Sequence, residues 1–407
     1  MKVVLINHSD SLGGASVVTY RLLKALQAQG VEARMLVVHK ATDDPSVVVA
    51  APRWRARLPF YIEAAKIFAA NGHDRGDLFK VSLGSDGLPL SRHPLVREAD
   101  AVLLAWVNQG MLSLKEIGRI AAAKPVIWTM HDMWNLTALC HHAGECRKYA
   151  EPAGCRQCPF LHSKASDHDA STRVWRDKQQ LYGTAHIKFV AVSSWLGELC
   201  RQSRLMDAQK VTVIPNAFPV EEFYSAPPSD GRRIILMGAA RLDDPVKGLP
   251  LAVDMLNRVT RRDNAEVRFF GTLRDPHALD GLNFKHQYLG PVNDPARLRE
   301  LYSQAHAVIS TSLYETLPGT LIEGQAAGAM PVSFDRGGQA DIIRGNTDGR
   351  LIPFGDTTAM AAALDEVLAT DHDRDALRKT VAQRFSAPAV ARKYIELLEL
   401  QLSQAKS

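Results

Sequence analysis

No apolar run in this 407-residue chain approaches the roughly 18 residues that a membrane-spanning helix needs. Any contact with a bilayer is therefore expected to be peripheral. Residues 1–8 lack the apolar middle and the cleavage site of a secretory leader and read as a strand, which makes the cytoplasm the expected compartment, at most at the inner face of the cell membrane. The excess of positive charge is only +5, too small to argue for nucleic acid, and it leaves room for an anionic small ligand or a membrane surface. Cysteine is scarce, and in a reducing compartment five thiols exclude a structural disulfide framework. Internal repeats and low-complexity segments are missing as well, which excludes solenoids and disordered tails. What remains, at 46% hydrophobic and 23% charged residues, is an ordinary globular chain long enough for two or three cores.

Strand-like and helix-like stretches alternate from end to end. Lys2–Asn7 precedes Ser16–Gln29, where Val18, Leu22, Leu23 and Leu26 share one helical face and Gly30 ends the run. Further strands are expected near Arg34–His39, Ala101–Val107, Pro125–Met130, Lys188–Val192 and Val211–Pro215. The stretch from Val220 to Gly231, bearing Pro, Ser and Gly, reads as a linker. A second series follows, with strands at Arg233–Met237, Glu266–Phe270, Ala307–Thr311 and Pro331–Phe334, and helices near Leu249–Arg261, Pro295–Ala305 and Leu321–Ala327. Ala359–Leu368 and Asp375–Phe385 read as closing helices; Pro388 interrupts, and Val390–Leu402 forms a last one. Short apolar strands with little two-residue alternation predict parallel sheets covered on both faces. The expected fold is α/β, with two doubly wound Rossmann-like domains, a cleft between them and ligands at the strand carboxyl ends.

The densest chemistry lies in Glu315-Thr-Leu-Pro-Gly-Thr-Leu-Ile-Glu323, two carboxylates around a Pro-Gly turn between a strand and a helix. Glu323 is expected in the first turn of that helix, and the backbone N–H groups of Gly319, Thr320 and Leu321 would face an anion. A solvated loop charge and a helix-start charge explain the same pair. Arg241, after the strand at Arg233–Met237, and Lys247-Gly248, opening the next helix, are cations at the two ends of one loop and suit a diphosphate. Gly271 and Gly290 close two other strands and fit either close backbone approach or plain turns.

This combination resembles the retaining glycosyltransferases of family 4, which have the GT-B fold. The resemblance covers nearly the whole chain and rests on Arg241, Lys247-Gly248, the Glu315/Glu323 pair with seven residues between, and Ala326-Ala-Gly-Ala-Met-Pro331. It implies a hexosyltransferase in which Arg241 and Lys247 neutralise the diphosphate of a nucleotide-sugar, Glu323 holds ribose hydroxyls and Glu315 holds hydroxyls of the moving sugar. Where many members read Phe-Gly-Leu, this chain has Leu317-Pro318-Gly319, a departure that leaves the class but blurs the donor. Gly14, in Gly13-Gly14-Ala15-Ser16, would approach donor phosphate, and His131 would sit near the anomeric carbon. A plain βα turn and a capping histidine are the ordinary alternatives. Asn216 also matches, with a hinge role as the simpler reading. No Asp-x-Asp sits at the proposed donor pocket, so catalysis is expected to need no metal or other cofactor. Residues 1–215 would bind a glycan or lipid-linked acceptor, 216–385 the nucleotide-sugar, and the helix in 386–407 would pack back on the first domain. A nucleotide-sugar epimerase, a phosphorylase and a non-catalytic sugar-nucleotide-binding scaffold are the rivals.

Two features lie outside that scheme. Cys140, Cys146, Cys155 and Cys158 fall within nineteen residues. Only the last pair has zinc-knuckle spacing, with His141, His142 and His162 as further ligands. A structural zinc is one reading, and reduced thiols packing an irregular loop are the other. The run resembles a subgroup of family 4 associated with capsular, exopolysaccharide and colanic-acid-type synthesis, which also tends to carry a strand end like Trp106-Val-Asn-Gln-Gly110. The second feature is Arg53-Trp-Arg-Ala-Arg57, which opens a helix with Trp54, Leu58, Ile62, Ala65 and Phe68 at helical spacing. Such a stripe is ordinarily a core face; with three arginines beside it, a peripheral contact with anionic lipid is the alternative.

Overall fold

The structure is a computed structural model that describes residues 1–405. The chain forms two units, Met1–Asn216 joined by the residues from Val390 onward, and Ala217–Ala389. The first unit carries a seven-stranded sheet: β1 (Lys2–Ile6), β2 (Glu32–Val37), β3 (Val47–Val49), β4 (Ala101–Leu104), β5 (Val126–Met130), β6 (Ile187–Ala191) and β7 (Val211–Val213). Their order is β3-β2-β1-β4-β5-β6-β7, and all pairs are parallel. The second carries β8 (Arg233–Arg241), β9 (Ala265–Thr272), β10 (His286–Tyr288), β11 (Ala305–Ser310), β12 (Met330–Asp335) and β13 (Arg350–Pro353), in the order β10-β9-β8-β11-β12-β13, again all parallel. Runs such as Val3-Val4-Leu5-Ile6 are buried throughout, because helices cover both faces of a parallel sheet. The strand order reverses between β1 and β4 in the first sheet and between β8 and β11 in the second. Helices on either side of such a point diverge and leave a crevice at the strand carboxyl ends.

Two strands were not expected, β3 with three residues and β13 with four, and β10, ahead of Gly290, has only three, all exposed. The supposed linker is partly built into the second unit. Val220 and Phe223 are buried, the Phe223 ring packs edge-on against Tyr302, and its carbonyl accepts from Arg378. The last two helices, Arg374–Phe385 and Ala387–Gln404, are separate as expected, with the break at Ser386; Pro388 lies in the first turn of the second, where its missing N–H costs nothing. Tyr394 of that helix shares a 2.9 Å hydrogen bond with Thr129 Oγ1 of β5.

The helix Arg53–Ala70 turns the other way from a core helix. It buries Ala56, Glu63 and Ile67, while Trp54 is 70% exposed and Leu58 57%. The cause is Glu63. Its Oε1 accepts the N–H groups of Leu83 and Gly84, each at 2.7 Å, and its Oε2 that of Gly110 at 2.6 Å. A buried carboxylate satisfied by three backbone donors fixes the inward face, and the apolar stripe is left outside.

Candidate active site

At the switch point of the second sheet the structure joins Lys247 to Glu315, with Arg241 at the other end of the loop that bears Lys247. β8 ends at Arg241 after a register shift between Gly238 and Arg241. The guanidinium lies 3.0 Å from Asp244 Oδ2 and 3.6 Å from Asp243 Oδ1, and its Nε is buried without a hydrogen-bond partner. The loop then makes a short 3-10 turn, Pro245–Lys247, started by Asp244, whose Oδ1 accepts from Val246 N–H. Gly248 follows at φ 66°. A Cβ there would stand 2.2 Å from the Thr311 carbonyl oxygen, so the close approach of this loop to the end of β11 requires glycine. Thr311 Oγ1 donates to the carbonyls of Lys247 and Gly248, and Leu313 N–H to that of Val246, so the two strand ends are joined as one piece.

Glu315 comes just after β11, and Lys247 Nζ reaches its Oε1 at 2.6 Å, with the two side chains 30% and 20% exposed. The Glu315 backbone is held in turn, since its carbonyl accepts from Gly338 N–H. Gly337 at φ 148° allows that approach; a Cβ there would be 2.1 Å from the same oxygen. An ammonium has three donors, so Lys247 keeps two for a ligand while bound to Glu315.

The helix after this loop runs Gly319–Ala326, capped by Pro318 with no side-chain hydrogen bond. Its first N–H groups, at the partly exposed Gly319 and Thr320, have no intrahelical acceptor and carry the positive end of the dipole. Leu321 is buried, and its N–H turns back to the Pro318 carbonyl. The helix starts two residues earlier than the sequence implied. Glu323 is consequently its fifth residue rather than a first-turn residue, and it is only 9% exposed.

In the first unit, Gly14 opens the helix Gly14–Ala28 with Gly13 at φ 83° before it, and both are exposed with open space around them. His131 follows β5 directly. Its Nε2 is buried without a partner, and burial, against the pull of Asp132, brings its pKa down to about 4, so the imidazole is neutral near pH 7. Sequence reasoning named Trp106 and His141 for other reasons and did not join them to Asp132. Asp132 accepts from His141 Nδ1 at 2.7 Å, Trp106 Nε1 at 3.0 Å and the Trp134 N–H at 2.8 Å. Burial pushes the Asp132 carboxyl up, but His141 and the N–H donors outweigh it and hold it at about 2. The only signal in the sequence was its place beside His131 at a strand end.

Among the described residues no group of three or more His, Cys, Asp or Glu side chains is arranged to hold a metal ion. Two imidazoles expected as ligands are engaged elsewhere, His141 by Asp132 and His162 by Asp77 at 3.1 Å. Cys140, Cys146, Cys155 and Cys158 are all free thiols. Burial, with the neighbouring thiols of the cluster adding to it, pushes Cys140 up to about 11 and Cys155 and Cys158 to about 12. The loop is tied down by Lys178, fully buried, whose ammonium donates to the Trp134 and Thr137 carbonyls and sits 3.5 Å from the centre of the Trp134 ring.

Comparison with known proteins bears on this geometry. Residues 231–370 match the family model described as glycosyl transferases group 1, a stretch that holds Arg241, Lys247, Glu315 and Glu323. A phosphatidyl-myo-inositol mannosyltransferase of Mycolicibacterium smegmatis is 29% identical over 177 residues, 40% of this chain and 44% of the relative. The match thus spans less than half the length of that relative. A putative colanic acid biosynthesis glycosyltransferase, WcaL, of Salmonella typhimurium is 24% identical over 58% of this chain and 61% of its own. Among solved structures, that of Anabaena Alr3699/HepE in complex with UDP and glucose aligns over 98% of this chain and 99% of its own, with a TM-score of 0.61 at 16% identity. Two parallel-sheet Rossmann-like units, shared with solved glycosyltransferases along nearly the whole chain, are the GT-B fold.

Proposed function

We propose that this chain is a retaining glycosyltransferase, which moves a hexose from a nucleotide-sugar to a hydroxyl of a lipid-linked glycan in cell-surface polysaccharide synthesis. The observation that carries the reading is the convergence of Arg241, the Lys247–Glu315 pair and an uncapped helix start at the switch point of the second sheet. Two cations and free N–H groups suit a diphosphate, and a carboxylate beside them suits sugar hydroxyls. The names of the relatives support the acceptor class, one referring to phosphatidyl-myo-inositol and one to colanic acid.

In the reaction the bond between the anomeric carbon and the diphosphate oxygen breaks, and the leaving diphosphate takes the electron pair. The acceptor oxygen then bonds to that carbon on the same face, and its proton passes to the departing phosphate. Negative charge grows on the diphosphate as the bond lengthens. Arg241, Lys247 and the N–H groups of Gly319 and Thr320 stabilise it most at that moment, which requires no metal ion. Glu315 orients the sugar, Glu323 the ribose, and a neutral His131 offers a hydrogen bond without competing charge. The exposed face of Arg53–Ala70, with Trp54, Leu58, Tyr61 and Ile62 beside three arginines, suits peripheral contact with anionic lipid.

A thermal-shift screen with UDP-, GDP- and dTDP-hexoses tests the reading. One base series raises the melting temperature of the wild-type protein by mass action, and the shift is lost in Arg241→Met. No shift with any nucleotide-sugar rules the reading out.

A further inference from the structure

The two ends of the helix Gly319–Ala326 are satisfied in opposite ways. At its start no side chain caps it, and the N–H groups of Gly319 and Thr320 have no intrahelical acceptor. At its finish every carbonyl is taken. Ala327 N–H donates to the Glu323 carbonyl, Gly328 N–H to that of Gln325 and Ala329 N–H to that of Gly324, a left-handed close with Gly328 at φ 80°. The next three carbonyls go to side chains of one segment. Ala326 accepts from Arg378 Nε at 3.2 Å, Ala327 from Arg374 Nη2 at 3.3 Å and Gly328 from His372 Nε2 at 2.9 Å.

Arg374 is the centre of this arrangement. It is the first residue of Arg374–Phe385, where a cation opposes the dipole, so its own helix gives no reason for it. A Cβ on Gly328 would stand 2.7 Å from the Arg374 Cβ, and glycine is what lets the two segments approach so closely. The same guanidinium donates to Ser225 Oγ and to the carbonyls of Ser303 and Ala305. It thereby fixes the finish of Gly319–Ala326 against the start of β11, the strand that leads to Glu315. Burial, then the neighbouring Arg233 and Arg378, bring Arg374 down to about 10, so it keeps its charge at neutral pH. The nearby carboxylates Asp371 and Asp375 are 89% and 75% exposed and bonded to Arg233 and Arg378. The charge of Arg374 is therefore met by carbonyl oxygens, among them those at the negative end of the helix dipole.

We infer that Arg374 is a positioning residue for the donor: by holding the carbonyl end of Gly319–Ala326 it aims the free N–H groups at the diphosphate and cancels the opposing end of the dipole. This role rests on the donor pocket proposed above. The two ends of an eight-residue helix are only about 12 Å apart, so the negative end, left alone, would offset much of the positive field at the ligand. A unit charge at that distance changes the affinity for an anion by up to about tenfold, less where salt screens it. Titration of the full chain with UDP, GDP and dTDP, and with the matching free nucleosides, separates this role from a merely structural one. Arg374→Gln keeps an N–H donor and loses the charge; it should weaken the nucleoside diphosphate about 3- to 10-fold and leave the nucleoside unchanged. Arg374→Lys keeps the charge and should recover most of that loss. Should Arg374→Gln fail to fold, Arg378→Gln, at a more exposed member of the same clamp, carries the test with the same ligand pattern. Diphosphate affinity equal to wild type in the folded variant, or parallel losses for diphosphate and nucleoside, overturns the inference and leaves the donor pocket standing. Wild-type protein that binds none of the three nucleoside diphosphates refutes the donor pocket itself, and the donor role of Arg374 with it.

Discussion

Replacing Lys247 with methionine tests the donor pocket at its tightest contact. The ammonium lies 2.6 Å from Glu315 Oε1, and the two side chains are 30% and 20% exposed. Solvent screens a pair this open, so its loss should cost at most about 1 kcal/mol of stability. In a unit of this size that is a fall of roughly 2–4 °C in Tm. A nucleoside diphosphate would feel the change far more. A charge-assisted hydrogen bond to phosphate contributes about 1.5–3 kcal/mol, which corresponds to about 10- to 150-fold in Kd. Isothermal titration with UDP, GDP and dTDP should therefore show Lys247→Met binding its nucleotide at least tenfold more weakly than wild type. Glu315→Gln should behave oppositely, because it frees the ammonium from its partner: diphosphate affinity holds or rises, and sugar transfer falls. Nucleotide affinity within about twofold of wild type in Lys247→Met, or equal losses in both variants, would refute the assignment of the diphosphate to this cation.

Other perturbations probe the surrounding structure. Gly248→Ala puts a Cβ against the Thr311 carbonyl at a positive φ; urea unfolding should show a loss of about 1–3 kcal/mol, with weaker nucleotide binding because the loop bearing Lys247 shifts. Lys178 is held down by burial to about 7 from 10.5, so between these pH values the unfolded chain binds the extra proton. Stability should consequently rise with pH across that window by up to about 1.4 kcal/mol per unit, the full cost being present below pH 7. Lys178→Met should remove this slope in denaturant titrations at pH 7–9, whatever its effect on stability itself. Wild-type protein should co-sediment with phosphatidylserine-containing vesicles and not with neutral ones. The triple change Arg53→Gln, Arg55→Gln, Arg57→Gln should weaken that binding about 100-fold at about 1 kcal/mol per arginine, and equal binding to neutral vesicles would point to a purely apolar contact.

The fold was legible wherever four or more apolar residues marked a strand, as in Val3–Ile6 or Val126–Met130, because burial on both faces leaves a continuous hydrophobic run. The Lys247–Glu315 contact was not legible in the same way, since 68 residues separate the pair and only the return of the chain to the β8/β11 switch point joins them. Spacing misled at the helix Arg53–Ala70 because of a buried carboxylate that no periodicity announces: Glu63 collects the N–H groups of Leu83, Gly84 and Gly110 and turns the apolar stripe outward.

The central claim, retaining transfer of a hexose from a nucleotide-sugar, is tested most directly by proton NMR of the product formed from an α-linked nucleotide-sugar of the base series that binds. The anomeric proton should appear with the small coupling constant of a retained α-glucosyl or α-galactosyl linkage, and Glu315→Gln should suppress it. A β-linked product would contradict same-face attack, and an unconsumed nucleotide-sugar with every acceptor glycan offered would contradict the transferase reading itself.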